Sequence, residues 1–367
     1  MIAVEFRDIT KEYRGQPALK GIDFAVESGT FTVIFGGPGC GKSVVLRLMT
    51  GLEKPTSGRV FMRETDVTNV APGERNIGYV PQMFALYPHY KVYDNIAYPL
   101  RLMGLPAQQV DPIVRRTAEM LRISPLLAKS PDQLSGGEKQ RVALSRGIVK
   151  QTNIFVLDDP LTGLDFKLRE QLFDDLQATQ KSLDATFVYT TSDPLEALML
   201  ADNIVVLDDG SVVEAGRLDD VYANPQHVRT MELLGFPTAN LLPGRIGQRD
   251  GKTWCTTALV EFPVELTDSR QLERDGQEVT VAVRPQMLGL DPAQSELCVF
   301  PATITLREDL GGELVVHLTA NGIPLVSVVR HDESHLIADR DVTVGVHAPA
   351  FVLYAVGTGK RIGQGAE

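Results

Sequence analysis

Cysteines, histidines and long apolar runs are scarce in this sequence. Its three cysteines, Cys40, Cys255 and Cys298, match neither the spacing of a metal site nor an even set of disulfide partners. No apolar run approaches the ~20 residues that span a bilayer, and the N-terminal residues lack the basic and apolar regions of a signal peptide. These absences exclude a small secreted domain held by disulfides and predict a chain of the reducing cytosol.

Positive charge is in deficit as well. The chain has 36 Lys and Arg against 47 Asp and Glu, which leaves a formal net charge of −11. Nucleic acids and anionic lipid surfaces recruit basic patches, so neither is expected to be the main partner. The length of 367 residues and the 43% hydrophobic content are those of an ordinary globular protein with two or three domains.

Residues 1–236 have the pattern of an α/β fold. Short apolar runs alternate there with helical patterns, which suits a mostly parallel sheet that is covered on both faces. A helix is predicted over Lys42–Thr50, where Gly51 ends it, and a longer helical region over Val92–Lys150. The predicted strands are Phe31–Phe35, Ile154–Leu157 and Thr186–Tyr189.

Residues 237–367 have a different pattern. Segments of high β propensity recur between turn residues, which predicts a small all-β barrel or sandwich. Leu242–Gly244 is predicted to be a turn, because Pro and Gly follow each other there. The other predicted strands are Glu278–Val283, Ala302–Leu306, Leu314–Leu318 and Pro324–Val329. The expected domains are therefore 1–236, of α/β type, and 237–367, which is rich in β structure.

A glycine-rich loop follows the first predicted strand and precedes the first predicted helix. It matches the pattern G-x-x-x-x-G-K-[ST], in which backbone N–H groups and a helix N-terminus converge on phosphates. Lys42 is expected to reach the β- and γ-phosphates of a nucleotide, and Ser43 to ligate Mg²⁺. The flanking strand and helix disfavour a chance match on a glycine turn. The loop consists of Gly36, Gly37, Pro38, Gly39, Cys40, Gly41, Lys42 and Ser43.

Two further motifs narrow the class of phosphate-binding protein. Ser135, Gly136, Gly137 and Glu138 precede a predicted helix, and they suit either a second anion cradle or an ordinary serine N-cap with a capping box. Further along, the apolar run Ile154–Leu157 ends in two aspartates, a pattern that places a carboxylate beside Mg²⁺. These aspartates are Asp158 and Asp159. With the glycine-rich loop, the order of motifs resembles the ATP-binding cassette (ABC) family.

The resemblance extends over residues 1–236 and implies ATP and Mg²⁺ as cofactors. It implies that Tyr13 stacks on adenine and that Gln82 senses Mg²⁺ and the γ-phosphate. Asp165 would lie at the interface between two ABC subunits. Ser135, Gly136, Gly137 and Glu138 would close on the ATP of the opposite subunit. The metal ligands that it implies are Ser43, Gln82 and Asp158.

Two stretches after Gln82, Ala85–His89 and Val92–Ile96, closely resemble the ATPase subunits of carbohydrate importers of the maltose and glycerol-phosphate type. The resemblance implies two transmembrane permease subunits as partners, a solute-binding protein as an indirect partner, and a peripheral position on the cytoplasmic face of the inner membrane. Met83, Phe84 and Tyr87 are expected to be exposed apolar anchors for a permease helix, or alternatively to pack under a helical subdomain. The solute is expected to be a sugar, polyol, glycerol or glycerol phosphate.

The β-rich half has its own resemblance. Val283–Pro285 and Leu310–Glu313 resemble the regulatory OB-type (TOBE) domain that these importer subunits carry. The expected fold class is therefore an α/β P-loop ABC ATPase domain, with a mostly parallel sheet and a helical subdomain, followed by an all-β OB-like domain.

Two positions depart from the family pattern. The family has Glu directly after the Mg²⁺-binding aspartate and His before a later aspartate, whereas this chain has Asp159 and Ser192. A displacement of about 1 Å in a positioned group can cost on the order of a hundredfold in rate. Only His89 and His227 lie within 1–236, and neither fits the position of Ser192. We therefore predict that the catalytic set Asp159, Ser192 and Gln82 binds ATP and turns it over slowly.

An impaired site predicts a heterodimer with a second, complete ABC ATPase subunit. The alternative is a fully active homodimer in which the two changes are tolerated. A soluble ABC protein without a transport role is a further alternative, but such proteins usually fuse two cassettes or insert a coiled coil, which the sequence lacks. A regulatory clamp that binds ATP without hydrolysis differs from the impaired subunit only in turnover.

Overall fold

The structure is a computed structural model, and it describes residues 1–150, 152–164, 166–267, 276–290, 298–331 and 340–366. The chain divides into two compact units, Met1–Asp219 and Asp220–Glu367. The domain limits expected from the sequence stay a prediction. Within the described residues, none of the helices combines the length and the apolar character that crossing a bilayer requires.

Strands and helices alternate through the first unit. Its elements are β1 (Ile2–Tyr13), β2 (Gln16–Glu27), β3 (Phe31–Phe35), α1 (Lys42–Thr50), β4 (Ser57–Met62), β5 (Thr65–Asp66), β6 (Gly78–Val80), α2 (Val92–Leu102), α3 (Ala107–Met120), α4 (Gly136–Ile148), β7 (Ile154–Asp158), α5 (Phe166–Leu183), β8 (Thr186–Thr191), α6 (Pro194–Leu200), β9 (Asn203–Asp208) and β10 (Ser211–Arg217). Helix α7 (Leu218–Ala223) spans the limit between the units.

The central sheet of the first unit has the strand order β10-β9-β3-β8-β7-β6. The five strands from β9 to β6 run parallel, and β10 pairs antiparallel with β9. Every residue of β3, β7 and β8 is buried, as expected for strands that are covered on both faces. A second, antiparallel sheet has the order β2-β1-β4-β5. The carboxyl ends of β3, β7 and β8 therefore meet at one edge of the central sheet.

The helical region predicted over Val92–Lys150 consists of α2, α3 and α4 around an apolar cluster of their own. Ile96, Val114 and Val142 contribute to this cluster from the three helices. Helix α1 has the predicted bounds, and Gly51 ends it with a left-handed φ of 77°. The predicted mostly parallel sheet with a helical subdomain is confirmed.

The second unit is built largely from antiparallel strands. Its elements after α7 are α8 (Val228–Leu233), β11 (Asn240–Arg249), β12 (Lys252–Thr257), β13 (Glu261–Leu266), β14 (Gln277–Val283), β15 (Gly289–Leu290), β16 (Cys298–Asp309), β17 (Glu313–Ala320), β18 (Ile323–Arg330), β19 (Asp341–Val346), β20 (Val352–Ala355) and β21 (Arg361–Gly365). A closed barrel has the order β11-β12-β13-β21-β20-β14, and a sheet has the order β15-β19-β16-β17-β18. Both contribute to one apolar core, which confirms the predicted all-β fold.

The turn predicted at Leu242–Gly244 is wrong, because these residues lie inside strand β11. Pro243 pairs with Thr280 of β14, while the pairing of β11 with β12 starts only at Gly244. Proline is tolerated in a strand where one side is unpaired, because its missing N–H then breaks no second ladder. The Pro-Gly pair therefore marks the point at which β12 joins β11.

Candidate nucleotide-binding site

The glycine-rich loop connects β3 to α1 and requires glycine at several positions. Gly39 and Gly41 have φ values of 79° and 111°, in the left-handed region that other residues rarely adopt. A Cβ atom on Gly36 would lie 2.1 Å from the carbonyl oxygen of Leu207 in β9. The loop therefore passes against the neighbouring strand and turns tightly into the helix, which leaves its backbone free to cradle a phosphate.

Lys42 begins α1 and folds its side chain back over this loop. Its Nζ donates to the carbonyl oxygens of Gly36 and Gly37 at 2.7 and 2.9 Å, and to Ser192 Oγ at 2.8 Å. The structure thus brings Ser192, which follows β8, into direct contact with the loop lysine. An ammonium group held by three neutral oxygen acceptors keeps its positive charge available for an anion.

Ser43 and Asp158 come together at the carboxyl ends of the central strands. Ser43 Oγ donates to Asp158 Oδ1 at 3.0 Å, and the Asp158 carboxylate is buried. Burial, followed by the charge of Asp158, raises the pKa of the nearby Tyr79 to about 12. A hydroxyl and a carboxylate oxygen are the hard donors that Mg²⁺ prefers, and Mg²⁺ usually takes only one or two protein ligands beside phosphates and waters. The residues present therefore fit Mg²⁺.

Asp159 and Gln82 also meet at this edge. Gln82 Nε2 donates to Asp159 Oδ2 at 3.4 Å, so two members of the predicted catalytic set are neighbours. Asp159 has a left-handed φ of 43°, and its backbone N–H donates to Thr190 Oγ1 at 3.0 Å. Thr190 Oγ1 in turn donates to Asp158 Oδ1 at 3.0 Å. The sequence motifs did not point to Thr190, which is one of three threonines in β8.

Tyr13 presents part of its ring to solvent on the antiparallel sheet. Its side chain is 41% exposed, and its hydroxyl donates to Glu53. Glu53 also pairs with Arg47 of α1 at 2.9 Å, so this contact links Tyr13 to the helix that follows the glycine-rich loop. Lys11 Nζ lies 5.0 Å from the centre of the Tyr13 ring. An exposed ring face beside this helix suits the adenine-stacking role expected for Tyr13.

Ser135, Gly136, Gly137 and Glu138 form the start of α4, with a complete capping box. The backbone N–H of Glu138 donates to Ser135 Oγ at 3.3 Å, and the N–H of Ser135 donates to Glu138 Oε2 at 2.7 Å. This second hydrogen bond lowers the pKa of Glu138. A Cβ on Gly137 would lie 2.0 Å from Leu168 Cδ2, whereas one on Gly136 would meet nothing within 4 Å. The N-cap is observed, and the expected role toward a partner's ATP stays a prediction. Asp165 lies outside the described residues.

The segment after Gln82 carries an exposed group of apolar side chains. Met83 is 80% exposed, and the rings of Tyr87 and Tyr90 lie 5.7 Å apart. Phe84 is half-buried rather than exposed as expected. Arg146 of α4 donates to its carbonyl oxygen at 3.2 Å and so ties the backbone of the segment to that helix. The segment therefore exposes Met83, Tyr87 and Tyr90, while Phe84 is half-buried.

Asn95 holds this segment in place and was not singled out by the sequence motifs. The side chain is fully buried in α2. Its Oδ1 accepts the N–H of Tyr87 at 2.8 Å, and its Nδ2 lies within 3.2 Å of the carbonyl oxygens of Tyr87, Tyr90 and Lys91. One carboxamide thus satisfies several backbone groups of a loop.

Comparisons with known proteins give the family of this chain. Residues 19–162 match the ABC transporter family, and residues 281–353 match the TOBE domain. The chain is 34% identical over 334 residues to the sn-glycerol-3-phosphate import ATP-binding protein UgpC of Yersinia pseudotuberculosis, covering 91% of this chain and 92% of the relative. It is 34% identical to the trehalose/maltose import ATP-binding protein MalK of Thermococcus litoralis, covering 99% and 100%.

A solved structure is similar in its cassette. The ATP-binding cassette MJ0796, in a dimeric post-hydrolysis state with ADP and Pi, is 28% identical with a TM-score of 0.54, and the match covers 59% of this chain and 98% of that one. The fold and the site thus define a nucleotide-binding P-loop protein of the ABC class. More narrowly, the chain belongs to the family of ABC transporter ATP-binding proteins that carry a TOBE domain.

Proposed function

We propose that the chain binds Mg²⁺ and ATP and energises an ABC importer for a sugar, a polyol, glycerol or a glycerol phosphate compound. The contact between Ser43 and Asp158, beside the loop lysine, is the observation that carries this proposal. The solute class is supported by relatives that are named as import proteins for glycerol phosphate and for trehalose and maltose. The transported solute would contact the permease subunits and not this chain.

Each residue of the proposed site has a physical task. Lys42 would release Ser192 or a loop carbonyl and place its ammonium against the β- and γ-phosphates. Ser43 and Asp158 would hold Mg²⁺, and the bound ion would supply positive charge that neutralises the phosphate oxygens. Gln82 and Asp159 would orient the attacking water, since their side chains already touch each other. Tyr13 would stack its exposed ring on the base.

We infer further that this site turns ATP over slowly. Asp159 is one methylene shorter than the glutamate of the family pattern, and a misplacement of about 1 Å can cost roughly a hundredfold in rate. Ser192 is a neutral hydroxyl that already engages Lys42, so it adds no cation beside the γ-phosphate. The retained binding residues and the shortened carboxylate together suit a site that binds ATP but hydrolyses it slowly.

The impaired site suits a heterodimer with a complete ABC ATPase subunit. The partner's ATP would be covered by Ser135 to Glu138 of this chain, while the ATP on Lys42 would persist. Two permease subunits would complete the transporter and place this chain on the cytoplasmic face of the inner membrane, with the exposed Met83 and Tyr87 in the permease contact. A fully active homodimer is the alternative.

The test compares hydrolysis by the purified chain with that of a variant that restores both family residues. Asp159→Glu combined with Ser192→His should raise the rate by about tenfold or more, because it restores the reach of the carboxylate and adds an imidazole. Lys42→Ala serves as the control, since it should abolish both nucleotide binding and any hydrolysis. Rapid hydrolysis by the unmodified chain alone, lost in Asp159→Asn, would contradict the impaired site and favour the homodimer.

A further inference from the structure

Thr190 is a buried residue of β8 that contacts both acidic residues at the end of β7. It is 0% exposed, and it is the register partner of Asp158 in the parallel pair. Its Oγ1 donates to Asp158 Oδ1 at 3.0 Å and accepts the backbone N–H of Asp159 at 3.0 Å. A single hydroxyl therefore uses its proton on one aspartate and a lone pair on the next.

The position of Thr190 continues an apolar row of the sheet. Two residues earlier in β8 stands Val188, and two residues before Asp158 in β7 stands Val156, both in the core that packs on α1. Valine has the shape of threonine, so packing alone does not require a hydroxyl here. A buried hydroxyl is costly unless it is hydrogen-bonded, and both of its strong partners are the acidic residues of the site.

These two hydrogen bonds act on different parts of the site. The first fixes the rotation of the Asp158 carboxylate, the group that suits Mg²⁺ together with Ser43. The second holds the backbone of Asp159 in its left-handed conformation at φ 43°, which costs free energy for a residue other than glycine. Ser43 would turn a lone pair of its hydroxyl toward a bound cation. The hydrogen bond from Thr190 to Asp158 does not depend on that orientation of Ser43.

We propose that Thr190 is a positioning residue for the Mg²⁺ that accompanies the nucleotide, acting through the Asp158 carboxylate and the Asp159 backbone. This inference rests on the proposed binding of Mg²⁺ and ATP. Loss of the hydroxyl should weaken Mg²⁺ binding at the site selectively, because the hydrogen bonds that the structure describes for Thr190 reach neither the glycine-rich loop nor Lys42.

The experiment measures binding of a fluorescent ATP analogue to the full chain, in EDTA and over a series of Mg²⁺ concentrations. Thr190→Val should raise the Mg²⁺ concentration needed for half-maximal binding about tenfold, the usual effect of losing a hydrogen bond to a charged group. Its affinity for the analogue in EDTA should stay within about twofold of the wild type. Thr190→Ser should restore the wild-type Mg²⁺ dependence, since it restores the hydroxyl.

Thr32→Val is the matched control. Thr32 is equally buried in the neighbouring strand β3, but its hydroxyl contacts Thr30 at 3.2 Å instead of an acidic residue. Where thermal unfolding shows that Thr190→Val does not fold, Thr190→Ala carries the same comparison. An unchanged Mg²⁺ dependence, or an equal loss of affinity with and without Mg²⁺, would overturn the inference alone. A wild-type chain that binds no nucleotide would overturn the proposed function as well.

Discussion

Gly36 is the residue at which the glycine-rich loop is most tightly constrained. A Cβ there would lie 2.1 Å from the carbonyl oxygen of Leu207 and 2.7 Å from Cys40 Sγ, so Gly36→Ala forces a backbone shift. We expect it to lower the free energy of unfolding by about 3 kcal/mol and to abolish nucleotide binding. Urea unfolding measures the first effect, and titration with a fluorescent nucleotide measures the second.

Gly37→Ala is the control for this prediction. A Cβ on Gly37 would meet nothing within 4 Å, and its φ does not require glycine. Its unfolding free energy should stay within about 0.5 kcal/mol of the wild type. Equal effects of the two alanines would show that contact with the β9 backbone does not limit the loop.

Glu196 is a buried carboxyl group beside the site, and it gives a pH dependence. Its Oε2 accepts the hydroxyl of Tyr189 at 2.7 Å, and burial raises the pKa of Glu196. A raised pKa in the folded state means that this group contributes stability fully below its unfolded pKa. That contribution is lost as the pH rises through the folded pKa. Glu196→Gln cannot ionise and can still accept from Tyr189, so its stability relative to the wild type should increase with pH.

Urea midpoints at about pH 5 and about pH 8 measure this change. The difference between Glu196→Gln and the wild type should be more favourable to the variant at the higher pH. The exposed Glu119 of α3 provides the control Glu119→Gln, which should show no such trend. A constant difference between variant and wild type over this range would contradict the prediction.

At the level of single residues, the sequence predicted those contacts that follow from fixed spacing. Lys42 and Ser43 occupy consecutive positions of the glycine-rich loop motif, so the motif itself predicts that they lie side by side. Asp158 meets Ser43 because two parallel strands end at the same edge, which the order of motifs implies. Thr190 could not be predicted in this way, because its role depends on the register between β7 and β8. Both strands are buried on both faces, so their sequences lack the alternation of apolar and polar residues that would specify the register.

Helix α2 anchors the exposed segment that follows Gln82, and this anchor lies in one side chain. Asn95→Leu would leave the N–H of Tyr87 and the carbonyl oxygens of Tyr87 and Tyr90 without their partner. We expect a loss of about 2–3 kcal/mol in unfolding free energy, because buried backbone groups lose hydrogen bonds. Hydrogen exchange measured by mass spectrometry should become faster in residues 87–91.

Asn69→Leu is the matched change at an exposed asparagine, and it should leave exchange in residues 87–91 unchanged. Slow exchange in 87–91 of Asn95→Leu would show that the segment is held by Arg146 and by the tyrosine rings alone. The two outcomes differ in a part of the chain that the proposed function places against a permease.

At the level of elements, prediction succeeded where the local pattern matched the tertiary role. Helix α1 is stopped by Gly51 and strand β3 runs directly into glycines, so both bounds were visible in the sequence. Pro243 and Gly244 looked like a turn, but the strand continues through them because β14 pairs along their whole length. Turn propensity is a local quantity, and a partner strand can override it.

At the scale of the whole molecule, each compact unit has an apolar core of its own. The first unit contains a stacked pair, Phe6 and Phe24, with ring centroids 4.7 Å apart, and the second contains Phe262 and Phe351 at 4.4 Å. Both cores were foreseeable from the change of sequence pattern near Phe236. The structure divides the chain after Asp219, within α7, where the helical residues carry no sequence signal of which core they join.

Because the cores are separate, a cavity in the core of one unit should destabilise that unit and shift its unfolding transition first. The single tryptophan of the chain, Trp254, lies in β12, so its fluorescence reports on the second unit. Far-UV circular dichroism at the helix minimum reports mainly on the first unit, which contains α1 to α6.

Phe351→Ala should lower the free energy of unfolding that tryptophan fluorescence reports by about 3–5 kcal/mol. Phe6→Ala should lower the free energy of unfolding that circular dichroism reports by a similar amount. Each variant is the control for the other, because both remove a buried, stacked phenylalanine. In Phe351→Ala, an ATP analogue with Mg²⁺ should raise the free energy of unfolding that circular dichroism reports, because the proposed site lies wholly in the first unit. Coincident shifts of both signals in both variants would show that the two units unfold as one.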